Sequence, residues 1–156
     1  MNVAFINSPL GITKIEGDEN GISVISVLSE GEVTPEIPSE LQEAVTQLQD
    51  YFEGKRTDFD FKLNPKGTDF QQKVWQELLK IPFGKTMSYM DLSKKLGDVK
   101  AIRAVASANG KNPLWIVVPC HRVIGTDGSL TGYAGGLWRK KWLIEHENPT
   151  TQQSLF

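Results

Sequence analysis

The stretch that decides the fold is Ser88–Gly110, SYMDLSKKLGDVKAIRAVASANG. Ser88 stands three residues before Asp91, which is a capping-box pattern, and Gly97 ends the helix that Ser88 opens. A second short helix is predicted over Val99–Asn109, with a glycine directly after it. Two short helices joined by a few residues around a glycine indicate a helix-turn-helix, a pattern that ordinary helical hairpins share.

The rest of residues 67–148 also has mostly helical patterns. Thr68 begins a second capping-box pattern, which predicts a helix running through Lys80. The last helix is predicted over residues 136–147. Between these helices lies an apolar run, Leu114–Val118, that predicts a buried strand.

Residues 1–66 indicate a small antiparallel sheet followed by a helix. Three β-rich runs are separated by Gly, Pro, Asn and Asp turn signals; they cover residues 3–7, 12–16 and 22–28. Ser39 opens the helix with a third capping-box pattern, and Lys55–Gly67 reads as a linker. The predicted class is therefore α+β, with a sheet-plus-helix domain over 1–66, a mostly helical domain with a helix-turn-helix over 67–148, and a tail over 149–156.

Composition sets limits on the function. The chain has 156 residues, 39% of them hydrophobic, which is enough for a core. It holds no run of eighteen apolar residues and no basic segment before an apolar stretch, so we expect no membrane-spanning helix and no secretory signal. One cysteine and two histidines cannot form an internal disulfide or a four-ligand Cys/His zinc site. We expect a cytoplasmic protein without metal or cofactor.

Charge is divided unevenly along the chain. Residues 1–66 carry a net charge of −7, whereas residues 67–148 carry +5. A basic half of this kind favours an anionic partner such as nucleic acid, and ordinary variation between the surfaces of two lobes explains it as well.

Cys120 is the candidate nucleophile. A lone cysteine beside an apolar run is usually a small core residue, but here basic residues follow it and favour the thiolate. His121 offers a base, through a bridging water if the segment is extended, and Glu147 offers a carboxylate to orient that base. His146 is the competing base, although a histidine at a helix end is commonly just solvated.

Three motifs resemble the O6-alkylguanine-DNA alkyltransferase family, the methylated-DNA–protein-cysteine methyltransferases. They are PCHRV at 119–123, GYAGG at 132–136 and WLIEHE at 142–147. Upstream pieces agree in the same order, namely 87–89, 101–105 and 112–113. The resemblance covers residues 68–148, and the first lobe matches only in its general pattern of sheet and helix. That lobe lacks cysteine, so no structural zinc is inferred.

The resemblance implies a DNA repair protein that acts by direct reversal. It would move an alkyl group from O6 of guanine, and from O4 of thymine, onto Cys120. His121 would act as a base through water and Glu147 would orient His121, while Tyr89 would donate a proton or hydrogen bond near guanine N3. The thioether product has no easy route back, so each molecule would act once.

The resemblance also implies that the damaged nucleotide leaves the duplex, because the stack hides its alkyl group. Arg103, on the second helix of the helix-turn-helix, would take the place of that nucleotide from the minor groove. Contacts to DNA or to the base are implied at Tyr89, Arg103, Asn112, Val123, Thr126, Tyr133, Ala134 and Gly135. The expected partner is double-stranded DNA containing O6-alkylguanine, bound by a monomer, with cooperative binding left open.

Three other functions agree less well with the sequence. A module that only recognises alkylated bases would not need Cys120. A transcription regulator would carry long polar side chains on its recognition helix, whereas Ala101–Ala108 offers few. A cysteine hydrolase would need an oxyanion site and water for a second step, and the basic lobe favours DNA instead.

Overall fold

The computed structural model describes residues 1–130, 133 and 136–149, and the chain forms two compact units. The first unit holds Met1–Lys66 together with Pro113–Val117. The second holds Gly67–Asn112 and the chain from Val118 onward. The predicted α+β class is confirmed, because the first unit contains a three-stranded antiparallel sheet and the second is mostly helical.

The sheet of the first unit is a simple meander of β1 (Asn2–Ser8), β2 (Gly11–Asp18) and β3 (Gly21–Leu28). The three predicted β-runs are thus confirmed, each with slightly wider bounds. The tight turns rest on glycines with positive φ, 128° at Gly11 and 125° at Gly21. In β1 the side chains of Ala4 and Ile6 are buried between more exposed neighbours, which is the period-two pattern of a half-buried sheet, whereas β3 begins with three buried residues, Gly21–Ser23.

The helix after the sheet begins differently from the prediction. Ser39–Leu41 forms a 3₁₀ turn, and α1 (Gln42–Phe52) follows it without a side-chain cap at its N-terminus. The capping box predicted at Ser39 is therefore wrong, because the side-chain amide of Gln42 donates to the Ile37 carbonyl instead. The end of α1 agrees with the sequence, since Gly54 has φ 78° just beyond the cap.

The segment predicted as a linker packs within the first unit. Its backbone pairs with β3, where the Ile22 amide donates to the Lys62 carbonyl at 2.9 Å and the Asn64 amide donates to the Ile22 carbonyl at 2.7 Å. A Cβ at Gly21 would lie 2.9 Å from that Lys62 carbonyl oxygen, so the close approach requires glycine. The polar composition of residues 55–67 predicted a linker and gave no indication of these backbone hydrogen bonds.

The apolar run before Pro119 is buried but is not the predicted strand. The Ile25 amide donates to the Pro113 carbonyl at 2.8 Å and the Trp115 amide to the Ile25 carbonyl at 3.0 Å, which makes only a single bridge at Leu114. Ile116 then adopts φ 72°, a left-handed conformation that costs about 1–2 kcal/mol for a residue with a Cβ. This reversal ends the extended pairing.

The second unit contains four helices among its described residues. They are α2 (Asp69–Leu78), α3 (Tyr89–Lys95), α4 (Ile102–Gly110) and α5 (Leu137–Glu147). The capping box at Thr68 is confirmed, and Ser88 caps α3 by accepting from the Asp91 amide at 3.0 Å. A 3₁₀ turn, Val99–Ala101, begins the second helix of the helix-turn-helix, and α4 runs one residue further than predicted.

Two contacts hold this helical unit together around the site. The Trp75 indole on α2 donates to the Ala108 carbonyl on α4 at 2.9 Å, and Trp75 is only 2% exposed. A short parallel pairing joins β4 (Met87–Ser88) to β5 (Val123–Ile124). That pairing was not predicted, and it fixes the start of α3 beside the segment that carries the cysteine.

No helix in the part of the chain that the structure describes combines the length and the apolar character needed to cross a bilayer.

Candidate active site

Cys120 begins a 3₁₀ turn, Cys120–Arg122, directly after Pro119. The side chains of the turn are buried, and Cys120 itself is 7% exposed. The expectation that this segment is extended, with successive side chains on opposite faces, is therefore wrong. In a 3₁₀ turn successive side chains point about 120° apart, and here all three of these side chains are nevertheless buried.

His121 is paired with Glu147, the last residue of α5. The His121 Nε2 and Glu147 Oε2 atoms are 2.7 Å apart, and the His121 side chain is fully buried. A carboxylate only accepts hydrogen bonds, so Nε2 carries the proton and Nδ1 presents a lone pair. Nδ1 is buried and has no hydrogen-bond partner among the described residues.

Arg122 holds the other side of the same carboxylate. Its Nε donates to Glu147 Oε1 at 2.8 Å and its Nη2 donates to Oε2 at 3.0 Å. Its Nη1 donates to the Ile81 carbonyl at 2.6 Å. Such a two-point contact fixes the position of the Glu147 carboxylate and favours its charged form. Arg122 was noted in the sequence only as a basic neighbour of Cys120.

These contacts set the protonation states of the pair. Burial alone would raise the pKa of the Glu147 carboxyl, but the hydrogen bonds and charges of His121 and Arg122 outweigh it and hold that pKa well below its usual range. For His121, burial lowers the pKa, and Arg122 adds to this effect although Glu147 opposes it. At neutral pH the site therefore holds a carboxylate next to a neutral imidazole, which can act as a base.

Positive charge on the residues next to Cys120 in sequence does not set the pKa of its thiol. Burial raises the pKa of Cys120, and the side chains of Asn112, Lys140 and Tyr133 act against this without cancelling it. The argument that His121 and Arg122 favour the thiolate is thus wrong, because His121 is neutral and Arg122 is occupied by Glu147.

Lys140 is the residue that the sequence analysis missed. It is fully buried on α5, and its Nζ lies 5.8 Å from the ring centre of Tyr89 and 5.9 Å from that of Tyr133. Burial lowers the pKa of Lys140 to about 8, while the nearby Cys120 acts in the raising direction. A usable signal existed, because Lys140, Leu143 and Glu147 share one face at helical spacing.

Asn112 and Tyr133 both lie against the thiol. The side-chain amide of Asn112 donates to the Val118 carbonyl at 2.7 Å, which connects the end of α4 to the segment that leads into Cys120. Both side chains also hydrogen-bond to Cys120. Tyr89, the first residue of α3, is half-buried beside Lys140.

The remaining candidates are more dispersed. Arg103 on α4 and Thr126 in the turn after β5 are exposed, whereas Val123 is fully buried. Ala134 and Gly135 lie outside the described residues. So does the tail from residue 150 onward.

His146 does not take part in the pair. Its ring stacks on that of Trp142, with ring centres 4.7 Å apart, and Glu147 contacts His121 instead. Of the two candidate bases, His121 is therefore the one that the fold brings to the carboxylate.

Comparison with known proteins covers nearly the whole chain. Residues 1–65 match the family model for the 6-O-methylguanine DNA methyltransferase ribonuclease-like domain, and residues 69–149 match the model for its DNA binding domain. A methylated-DNA–protein-cysteine methyltransferase of Methanosarcina barkeri is 45% identical over 149 residues, which is 91% of this chain and 94% of that protein. The protein of the same name from Mycobacterium bovis is 46% identical over 156 residues, or 96% and 94% of the two chains.

Solved structures show the same relationship. The crystal structure of Mycobacterium tuberculosis O6-methylguanine methyltransferase has a TM-score of 0.85 at 44% identity and covers 95% of this chain and 93% of its own. A crystal structure of Mycobacterium tuberculosis OGT in complex with DNA has a TM-score of 0.86 at 44% identity, covering 96% and 94%. The chain belongs to the 6-O-methylguanine DNA methyltransferase family.

Proposed function

We propose that this protein repairs alkylated DNA by transferring the alkyl group from O6 of guanine, and from O4 of thymine, to the sulfur of Cys120. The observation that carries the proposal is the 2.7 Å contact between His121 and Glu147. It leaves a buried imidazole lone pair one residue from the only thiol of the chain. The names of the relatives and the basic charge of residues 67–148 agree with this proposal.

The proposed reaction begins with the thiol proton. The proton passes through one bridging water to Nδ1 of His121, because successive side chains of a 3₁₀ turn point about 120° apart and do not face each other. Glu147 stabilises the imidazolium that results. The thiolate then attacks the alkyl carbon, a sulfur–carbon bond forms, and the carbon–oxygen bond breaks with its electron pair on the base oxygen.

The leaving base must be helped to take up that charge. We assign a donor role to Tyr89, whose phenol would give a proton or hydrogen bond to guanine N3. Backbone carbonyls near Cys120 and Val123 would accept from the exocyclic amine, while Tyr133, Ala134 and Gly135 would face O6. The products are the unmodified base and an S-alkylcysteine, so one molecule would repair one lesion.

Lys140 provides the positive charge that the buried thiolate needs. With a pKa of about 8, its ammonium is mostly protonated at neutral pH. Its charge lowers the pKa of Cys120, against the larger effect of burial. Since His121 is neutral and Arg122 is paired, Lys140 is the described cation that acts most directly on the sulfur.

Replacing Lys140 by methionine is expected to slow transfer at neutral pH and to displace its pH profile upward. Without the ammonium the pKa of Cys120 rises further, and each unit of rise lowers the thiolate fraction about tenfold below that pKa. Single-turnover transfer rates across neutral and alkaline pH measure the displacement. Lys141→Met is the matched control, because Lys141 lies next in sequence but is half-exposed and faces Glu145. Identical pH–rate profiles for the two variants would contradict the role assigned to Lys140.

The protein would act as a monomer on duplex DNA with the damaged nucleotide flipped out. A base inside the stack cannot bring its alkyl carbon to a thiol that is 7% exposed. Arg103 is exposed on the second helix of the helix-turn-helix, and Ala104, Ala106 and Ser107 on the same helix are small, which suits close approach in the minor groove. Asn112 would hold that helix to the cysteine segment, and Thr126 would contact DNA from the turn.

Replacing Arg103 by glutamine is expected to slow repair of duplex DNA about tenfold or more, because unstacking a base step costs a few kcal/mol that the side chain would offset. Reaction with free O6-methylguanine should change little, since no stack has to be opened. Lys100→Gln is the control, as it removes one exposed positive charge from the same helical segment. Equal slowing on duplex and free base would contradict a role in flipping.

The function itself is tested with duplex DNA that carries O6-methylguanine labelled on the methyl group. The expected result is label on the protein, up to one per molecule, with the guanine left in the strand. A hydrolase would release the label as methanol, and a recognition module or a transcription regulator would leave it on the DNA.

A further inference from the structure

Asn109, near the end of α4, lies against Tyr89. It is 1% exposed, and its Nδ2 donates to the Tyr89 hydroxyl oxygen at 3.4 Å. Its Oδ1 is buried and has no hydrogen-bond partner among the described residues. A buried acceptor without a partner costs about 1–3 kcal/mol, so this orientation of the amide needs an explanation.

We propose that Asn109 is a positioning residue that keeps the Tyr89 hydroxyl available to donate to the flipped base. This inference rests on the proposed alkyl transfer and concerns the donor to the leaving base.

The argument follows from the hydrogen-bonding capacity of a phenol. The Tyr89 hydroxyl has one proton to donate, and its oxygen can accept. When the amide N–H occupies that oxygen, the phenol proton is directed elsewhere. With Oδ1 facing the phenol instead, Tyr89 would give its only proton to Asn109 and could no longer donate to a ligand.

Other groups around Tyr89 also favour donation from its hydroxyl. The Lys140 ammonium lies 5.8 Å from the ring centre, where its charge favours a more polarised O–H. The first helical turn of α3 holds the tyrosine backbone through the Ser88 cap. The Ser88 cap thus acts on the backbone at the start of α3, whereas Asn109 contacts the Tyr89 hydroxyl itself.

Two substitutions of similar size separate this role from simple packing. Asn109→Asp keeps the shape of the side chain but replaces the N–H donor with a carboxylate that accepts the phenol proton. Asn109→Leu removes both polar atoms and leaves the hydroxyl unconstrained. A packing role would make aspartate the milder change, because it is the closer match in shape, whereas the proposed role makes it the more severe.

The experiment measures single-turnover transfer from O6-methylguanine DNA at a temperature where tryptophan fluorescence shows every variant folded. We expect Asn109→Asp to be slower than Asn109→Leu by about tenfold, the size of one charge-assisted hydrogen bond. In a Tyr89→Phe background the two should become equal, because no proton remains to be captured. The aspartate defect, expressed relative to leucine, should also shrink as the pH falls and the new carboxyl takes up a proton.

Asn109→Asp transferring as fast as Asn109→Leu would overturn the inference, and so would a difference between them that persists with Tyr89→Phe. These outcomes differ from failure of the proposed function, in which the wild-type protein itself transfers no alkyl group. In that case the inference falls together with the function on which it rests.

Discussion

Replacing Cys120 by serine is expected to abolish alkyl transfer and to leave the fold and the affinity for DNA in place. Serine is close in size, so the buried turn can still form around it. A hydroxyl is far less acidic than a thiol and far less nucleophilic toward an sp³ carbon, and a neutral imidazole cannot make up that difference. Because the chain holds a single cysteine, no second thiol can replace it.

The measurement pairs transfer of labelled methyl with binding of the same duplex. Circular dichroism and DNA affinity should match the wild type, so that loss of transfer reports on the chemistry. Label appearing on the Cys120→Ser protein at the wild-type rate would show that the acceptor is another side chain.

The second large effect is expected at Glu147, both in stability and in rate. Glu147→Gln leaves the buried Arg122 guanidinium without its counter-charge, and removing one partner of a buried pair typically costs about 3–5 kcal/mol. Transfer should fall about 10–100-fold, as when other carboxylates that orient a histidine are removed. The amide can accept only weakly from His121 and does not stabilise an imidazolium.

Acid titration gives this prediction a second readout. The folded-state pKa of Glu147 lies below its ordinary value of 4.5, so its contribution to stability is present above that value and is lost as the pH falls toward the folded-state pKa. Glu147→Gln should therefore lose part of the acid dependence of unfolding as well as stability at neutral pH.

Glu145→Gln is the matched control, since Glu145 lies on the same helix and reaches Lys141 only at 3.9 Å. It should leave melting temperature, acid dependence and rate almost unchanged. Equal behaviour of the two glutamine variants would contradict the role given to Glu147.

Elements with a strong local pattern were predictable from sequence. The three strands lie between glycine turns at the β-rich runs of the sequence, and Thr68 and Ser88 cap their helices as the pattern requires. Failures occurred where contacts distant in sequence decide the conformation. Residues 114–118 form a single bridge, between Leu114 and the distant residue Ile25. The chain then reverses at Ile116, where φ is 72°.

The site shows the same division. Cys120, His121 and Glu147 could be named from their motifs, and the structure brings the imidazole and the carboxylate together. No motif indicated a role for Arg122, and the only sequence signal for Lys140 was its helical spacing with Leu143 and Glu147. A lysine or arginine is usually solvated, and only the packed helix α5 and the 3₁₀ turn show that these two are buried.

The residues that stabilise the thiolate could not be predicted from the sequence. The sequence predicted that the positive charges of His121 and Arg122 favour the thiolate, whereas in the structure His121 is neutral, so that it can act only as a base, and Arg122 is paired with Glu147. Proximity in sequence does not establish an electrostatic partner, and Lys140, twenty residues away, is closer to that role.

The most direct test of the account is a mass spectrum of the tryptic peptide Asn112–Arg122 after the protein has reacted with duplex DNA containing O6-methylguanine. The account predicts that this peptide gains the mass of one methylene, located on Cys120, in proportion to the guanine restored. An unmodified peptide alongside restored guanine, or a methyl group on any other residue, would contradict it.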